Sequence, residues 1–347
     1  MRRMFRALQY VFNFGLARGA LFVAPLVIAN LLPAAHYGTL ELAQALASLG
    51  AIVLALGTSA AVPLVVLRKV STASWGGVVL HQVGIGAALL LVTLLLTLVD
   101  APDVAWIACV STAALMLQAL WSALLKSRNR AEPSLFLDAG FWLSLAGAAI
   151  IAALLQVPPA NRAAWAFTGL VSYLIALGAW TLVNLFRAGI RTAASTYGAT
   201  LRLGVPLMVA SLLTLLATTS GRIGVGLLST PELTAEYSVL FRATALPIVA
   251  HQILIVARYR LVFELPMEDL ERRLPWIVLL VATSVAAFWA LSRPLGLLLG
   301  PAFVSAFVRH RPEGLLILAQ CVLWSAIALN DMVNTRALTA GTVALWS

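Results

Sequence analysis

Residues Gly221–Pro247 read GRIGVGLLSTPELTAEYSVLFRATALP and predict the end of one hydrophobic helix, a short proline-containing turn and the start of a second helix. Two arginines, Arg222 and Arg242, lie inside the apolar runs on either side of the turn. A cation in hydrocarbon costs roughly 2.5–3.5 kcal/mol on insertion scales, so an arginine within a membrane is a functional-site hypothesis. The stretch therefore predicts a membrane hairpin that carries two candidate functional residues.

The composition extends this prediction to the whole chain. Of its 347 residues, 62% are hydrophobic and only 10% are charged, whereas about a quarter of the residues in an ordinary soluble domain are charged. So few charges could not solvate the surface of a soluble protein, but a surface in lipid needs none. We expect an all-α polytopic membrane protein.

The length of the apolar runs predicts about ten transmembrane helices, because a span needs about 20 apolar residues. The loops between the runs are short, which is typical of an antiparallel bundle of neighbouring helices. The predicted spans are Leu8–Leu32, Glu41–Val66, Val78–Val99, Val104–Leu125, Leu135–Val157, Ala163–Phe186, Leu203–Leu228, Tyr237–Val256, Pro275–Leu291 and Gly314–Val333.

The distribution of positive charge predicts the orientation. Lys and Arg number 23 against 13 Asp and Glu, and most of the excess lies in the N-terminal segment and the even-numbered loops. Cytoplasmic loops carry such an excess, so the N-terminus is expected in the cytoplasm. The ninth loop, with Arg293, departs from this trend. Membrane orientation explains the basic charge first, and no nucleic-acid partner is predicted.

A polar segment, Arg187–Arg202, divides the ten predicted spans into six and four. We therefore expect an N-terminal six-helix lobe at residues 1–190 and a second, incomplete lobe of about four helices at residues 191–347. The segment AAHYGTLELAQALA after the first span resembles LTAEYSVLFRATAL after the seventh. A repeat of six-helix halves is a common transporter plan.

Arg18 is the candidate predicted to lie deepest in the membrane. It follows the start of the first span by ten residues, which places it about 15 Å into the bilayer. Asn13 and Asn30 lie in the same span and add polarity. The three residues either line a cavity that receives an anionic substrate, or Arg18 pairs with a carboxylate such as Asp138 or Asp331 and serves packing alone.

Arg222 and Arg242 are both predicted in the outer half of the membrane, on consecutive helices. A guanidinium group suits phosphate because its planar fork can bind two oxygens at once. The alternative is that each side chain reaches outward to the interface or pairs with Glu232 or Glu236.

Motifs for catalysis are missing from the sequence. It contains no HExxH, GxSxG, P-loop or dinucleotide-binding fingerprint. Asp100 and Asp103 flank a short turn, which is either a solvated corner or a catalytic pair of a membrane glycosyltransferase. We expect no enzyme activity, no catalytic residue, no metal site and no cofactor.

The hairpin at Gly221–Pro247 resembles the polysaccharide branch of the multidrug/oligosaccharidyl-lipid/polysaccharide (MOP) exporter superfamily, the O-antigen-type flippases. Gly221 stands where that family has an Asp beside the Arg. Tyr37 and Gly38 are similar to the Tyr-Gly pair that opens the family's second helix. The hairpin residues that follow the family pattern are Arg222, Gly226, Leu227, Leu228, Pro231, Tyr237, Ser238, Arg242 and Pro247.

The resemblance implies a two-lobe helical bundle that flips undecaprenyl-diphosphate oligosaccharide across the bacterial cytoplasmic (inner) membrane for polysaccharide export. By this resemblance, arginines of the cavity would hold the diphosphate while the lobes rock in alternating access. It also implies as partners membrane lipids and the polysaccharide polymerase and glycosyltransferases of the same glycan. The family has twelve or more spans, and this chain stops shortly after the tenth, at VALWS, so the second lobe is expected to be incomplete.

Three alternatives stay open. A drug/cation antiporter of the same superfamily usually needs carboxylates within the membrane, and the first predicted span has none. A membrane glycosyltransferase or polymerase predicts catalytic acids in sizeable outer loops, and most outer loops here are short. An inactive scaffold is the third.

Overall fold

The computed structural model describes residues 19–67, 73–128, 130–244, 267–291, 296, 300–310, 312–320 and 322–323, and this part of the chain is all-helical, with no strand. Its helices include α1 (Gly19–Leu31), α2 (Ala34–Ala55), α3 (Thr58–Leu67), α4 (Trp75–Leu98), α5 (Asp103–Ser127), α6 (Ala131–Leu154), α7 (Pro159–Ala188), α8 (Ile190–Leu228), α9 (Pro231–Thr244), α10 (Met267–Ala290) and α11 (Pro301–Arg309), and residues 312–320 are also helical.

Five helices in the described ranges, α2, α4, α5, α6 and α7, are long and apolar enough to cross a membrane. Large apolar side chains on them face outward, including Leu98, Leu154 and Ile175, which are 65–77% exposed. Water would oppose such a surface and hydrocarbon would not, so the chain is a multi-pass membrane protein. The third to sixth predicted spans are confirmed as helices at similar bounds. The arrangement of ten spans in two lobes stays a prediction.

Helix α5 is the centre of the bundle, because it packs against α2, α3, α4, α6 and α7. Its Gln118 joins three helices: Nε2 donates to the carbonyl oxygen of Asp138 at 2.8 Å, and Oε1 accepts from the Phe141 amide and the Tyr173 hydroxyl, each at 3.0 Å. A buried amide without partners would be costly. Here these contacts fix α6 and α7 on α5.

The prediction that Glu41–Val66 forms a single helix is wrong. The helix is interrupted at Leu56 and Gly57, whose φ angles of 47° and 68° lie in the left-handed region. Gly57 lies against Gly204 of α8, and a Cβ at position 57 would stand 2.0 Å from the Gly204 carbonyl oxygen. A glycine is therefore needed for both the turn and the close approach.

The prediction that the polar segment Arg187–Arg202 is a loop between the sixth and seventh spans is also wrong. Of Arg187–Arg202, only Gly189 lies outside a helix, since α7 ends at Ala188 and α8 begins at Ile190. The segment is polar but rich in alanine, which favours helix, and Gly189 turns the chain with a φ of 81°. Helix α8 then packs on α2, α3 and α4.

The chain forms two compact units, Met1–Ser238 and Val239–Ser347. The first contains α1 to α8 and the beginning of α9, and all contacts described below lie within it. The predicted lobes at residues 1–190 and 191–347 stay a prediction.

Candidate functional site

A buried ion pair joins α2 to α8. Arg222 Nη1 lies 3.3 Å from Glu41 Oε2, and it also donates to Gln44 Oε1 at 2.8 Å. The side chains of Arg222 and Glu41 are 8% and 0% exposed. Charges within membrane helices are rare, usually pair with one another, and mark substrate or ion pathways. We therefore take this pair as the core of the candidate site.

Glu41 uses both carboxylate oxygens, because its Oε1 accepts from the hydroxyl of Tyr37 at 2.7 Å. Tyr37 lies one turn earlier on α2, and Gln44 lies almost one turn later and donates to Ser48 Oγ at 2.8 Å. Residues three or four apart share a helix face. These four side chains thus form a polar stripe along one face of α2, and Arg222 binds at its middle.

Two glycines allow close contacts at the hairpin of α8 and α9: Gly38 lets α2 approach the hairpin, and Gly221 lets α8 approach α9 within it. A Cβ at Gly38 would stand 1.7 Å from the carbonyl oxygen of Pro231, and a Cβ at Gly221 would stand 2.2 Å from the Tyr237 hydroxyl. The Tyr-Gly pair at residues 37–38 and the hairpin at residues 221–237 therefore meet in space. Gly221, where the resembled family has Asp, leaves the room that Tyr237 occupies.

Replacing Gly38 with alanine is expected to destabilise the fold by about 1–3 kcal/mol, the usual cost of overpacking, because backbone rather than a flexible side chain blocks the new methyl group. The measurement is denaturant unfolding in detergent micelles. Gly84→Ala on α4 is the matched control, since a Cβ there meets nothing within 4 Å. Equal stability of the two variants would contradict the close contact.

A second polar region surrounds the break between α2 and α3. A cavity of about 410 Å³ adjoins the break and is lined mainly by small residues, with Ser59 and Ser122 among them. Lys126 and Asp138 lie at this cavity and form an ion pair of 2.9 Å. Broken helices at membrane depth are tolerated where they line a cavity, and they are frequent at transporter sites.

His81 and Gln82 hold the broken backbone in place. The Nε2 of His81 donates to the carbonyl oxygen of Leu54 at 2.7 Å, and Nδ1 forms a hydrogen bond with the Tyr197 hydroxyl at 3.0 Å. Gln82 Nε2 donates to Thr58 Oγ1 at 2.9 Å. These contacts tie α4 and α8 to the residues on both sides of the break.

Three of the five predicted site residues, Asn30, Arg222 and Arg242, lie in the part of the chain that the structure describes. Arg18 and Asn13 lie outside the described residues. Asn30 is exposed, and its side-chain amide donates to the Leu26 carbonyl oxygen of its own helix at 2.7 Å. Arg242 is buried on α9, in the second unit. Arg222 is buried in the cluster described above.

Glu41 is not one of the partners that the sequence predicts for Arg222. The predicted partners, Glu232 and Glu236, are near Arg222 in sequence, whereas Glu41 is 181 residues away. A signal for Glu41 existed in the polar residues at positions 37, 41, 44 and 48, whose spacings of four, three and four residues place them on one helix face.

Asp103, one of the two predicted candidates for a catalytic pair, has a structural contact. Asp103 lies in the first turn of α5, and its carboxylate accepts from Trp106 Nε1 at 3.0 Å. An acidic residue at this position also suits the helix dipole. Across the described ranges, no group of three or more His, Cys, Asp and Glu side chains could hold a metal ion.

Comparison with known proteins gives no match: no family model, no curated protein and no solved structure is similar to this chain.

Proposed function

We propose that this chain is a membrane transporter, not an enzyme, and that it flips lipid-linked oligosaccharide across a bacterial cytoplasmic membrane. The observation that carries the transport part is the buried pair of Glu41 and Arg222 between α2 and α8. A charged pair among membrane helices is costly and is often kept for a functional reason. The broken helix beside a cavity gives further support.

The substrate class in this proposal rests on the resemblance of the Gly221–Pro247 hairpin to the MOP flippases. In the ten-span, two-lobe arrangement with a cytoplasmic N-terminus, the substrate would be an undecaprenyl-diphosphate oligosaccharide. Arg222 would leave Glu41 for the diphosphate when the lobes rock, and Arg18, Asn13, Asn30 and Arg242 would complete the polar path. Glu41 then acts as the resting partner of Arg222.

The proposal is tested in a bacterial strain that lacks its own flippase. Expression of the chain is expected to restore surface polysaccharide and to clear lipid-linked oligosaccharide from the inner leaflet. Arg222→Lys keeps the charge opposite Glu41 but loses the planar fork, so export is expected to fall at unchanged membrane abundance. Gly84→Ala serves as a silent control. Trapped precursor despite normal membrane abundance of the wild-type chain would refute the flippase proposal.

A second candidate, an ion-coupled antiporter of drugs or cations, is favoured by one observation. Glu41 is a fully buried carboxylate on a helix that could span the membrane, and such carboxylates carry protons or sodium in many transporters. Proteoliposomes distinguish the two. Drug uptake driven by a pH gradient and lost in Glu41→Gln would establish antiport, whereas flipping of a fluorescent lipid-linked sugar without such uptake would exclude it.

A further inference from the structure

We infer that the exposed surface at the end of α7 and the start of α8 binds the head groups of anionic phospholipids. Three exposed arginines lie on it, Arg187, Arg191 and Arg202, and we call it the arginine face. It is separate from the Glu41–Arg222 pair and from the cavity at the helix break. The inference does not rest on the transport proposal.

The start of α8 packs steeply across the first turn of α4. A Cβ at Gly76 would stand 3.1 Å from the Cβ of Ala193. A Cβ at the next residue, Gly77, would stand 2.6 Å from Thr200 Oγ1. Ala193 and Thr200 are about 10 Å apart along α8, so two neighbouring residues of α4 can contact both of them only where the helices cross.

This crossing lies at one surface of the membrane. Helix α4 begins at Trp75 and is apolar enough to cross a membrane. Its 24 residues are about 36 Å long, which exceeds the hydrocarbon core of about 30 Å. The first turn of α4 therefore reaches the head-group layer, and the start of α8 lies there with it.

The spacing of exposed and buried residues shows which face of α8 meets the lipid. Ala193 and Thr200 are fully buried, whereas Arg191 and Arg202 are exposed. At 3.6 residues per turn, Arg191 and Arg202 are about three full turns apart and so share one side of the helix. Each of them is two residues from a buried position on the opposite side. The two guanidinium groups therefore face away from the bundle.

The positive charge of the arginine face is not compensated. The sequence has no Asp or Glu between Asp138 and Glu232. Within the described ranges, none of the three arginine side chains takes part in an ion pair. The helix dipole accounts for Arg187, which lies in the last turn of α7. It does not account for Arg191, because the N-terminus of α8 is itself positive.

Anionic phospholipid is the partner that fits both the charge and the position. Arginines on a helix at the membrane surface attract acidic lipids, and the planar guanidinium fork can bind two oxygens of one phosphate. Nucleic acid and acidic proteins offer similar chemistry, but at the level of the first turn of α4 the surrounding molecules are lipid head groups. A zwitterionic lipid carries its own cation beside the phosphate, so a lipid with net negative charge should be preferred.

The experiment titrates the full chain, purified in a neutral detergent, with phosphatidylglycerol or phosphatidylcholine of identical acyl chains. Native mass spectrometry measures the affinity for each lipid, and the wild-type chain is expected to bind phosphatidylglycerol more tightly. The double variant Arg191→Gln with Arg202→Gln should weaken phosphatidylglycerol binding about 25-fold, about fivefold for each arginine. Its affinity for phosphatidylcholine should not change. Arg191→Lys with Arg202→Lys keeps both charges and should retain most of the binding.

Arg128→Gln with Arg130→Gln is the matched control. Both arginines are exposed and lie in the connection between α5 and α6. Trp121 of α5 stacks on Trp180 of α7, and Arg128 and Arg187 each follow their tryptophan by seven residues, so this connection is at the same end of the bundle. The control loses the same charge away from the arginine face and should retain its affinity for phosphatidylglycerol.

Three results would overturn the inference. The first is equal wild-type affinity for the two lipids. The second is an equal loss of affinity in the two glutamine double variants, which would show a general effect of net charge. The third is displacement of phosphatidylglycerol by inorganic phosphate, which would assign the arginine face to a soluble anion. Size-exclusion profiles identify a misfolded variant, and the single Arg191→Gln, with a loss of about fivefold, then replaces the double one.

Discussion

Replacing Glu41 with alanine is expected to destabilise the folded chain by about 3–5 kcal/mol, the usual cost of breaking a buried ion pair. Arg222 would remain buried in the membrane bundle with its carboxylate partner gone, and Gln44 supplies only a neutral oxygen. Glu41→Gln preserves the shape of the side chain but removes its charge. It should therefore cost nearly as much, because the charge of Arg222 again has no opposite charge at this position. The measurement is the free energy of unfolding from denaturant titration in detergent micelles.

The matched control removes both charges. The double variant Glu41→Leu with Arg222→Met should recover most of the lost stability, since replacing a whole buried pair by apolar side chains is often neutral or stabilising. It should nevertheless lose transport, if the proposed function holds. A double variant no more stable than Glu41→Ala alone would show that the two side chains do not act as a pair.

Replacing Gly57 with alanine is expected to cost about 2–5 kcal/mol, from two sources. An L-residue in the left-handed region costs about 1–2 kcal/mol, and overpacking typically adds about 1–3 kcal/mol. Gly57 has a φ of 68°, and its new methyl group would stand 2.0 Å from the Gly204 carbonyl oxygen and 2.8 Å from the Met208 amide nitrogen. Denaturant unfolding in micelles measures the loss.

Gly189→Ala separates these two costs. Gly189 also has a left-handed φ, 81°, but a Cβ there meets only Thr192 Oγ1, at 3.7 Å. It should therefore show the backbone cost alone, about 1–2 kcal/mol. If both variants lose the same amount, the contact of Gly57 with α8 contributes nothing to stability.

Much of the fold could be predicted from hydrophobicity alone. The helices α4, α5, α6 and α7 agree with predicted spans because a run of about 20 apolar residues has one stable form in lipid, the helix. The segment at residues 187–202 could not be assigned in the same way. Its polar side chains indicate solvent, but polarity alone does not distinguish a loop from a helix that extends beyond the membrane.

The break at Leu56 and Gly57 was missed for a different reason. The surrounding sequence is apolar, and the glycine is one of 23 in the chain. Its conformation depends on Gly204, which approaches from another helix. Pro63, the residue in that predicted span which most resembles a helix breaker, lies inside α3 instead. Local sequence cannot reveal a turn that a distant contact imposes.

One of the two charged residues of the candidate site could be predicted from the sequence. Arg222 could be identified from the cost of a cation in hydrocarbon, which is a local property. Glu41 could not be assigned as its partner, because pairing is a property of the folded bundle. The structure thereby changes the interpretation of Arg222: it is a member of an ion pair, and under the proposed function an anionic substrate would have to compete with Glu41 for its guanidinium group.

The separation of Glu41 and Arg222 along the chain has a consequence for biogenesis. At synthesis rates of about 5–20 residues per second, the 181 residues between them take about 9–36 s to emerge from the ribosome. During that interval α2 has been synthesised, and its carboxylate still lacks the arginine. Tyr37, which lies on the same helix and donates to Glu41 Oε1, is available to the carboxylate meanwhile. Insertion of α2 must therefore tolerate an acid without its arginine, and the ion pair between α2 and α8 forms only after α8 has been synthesised.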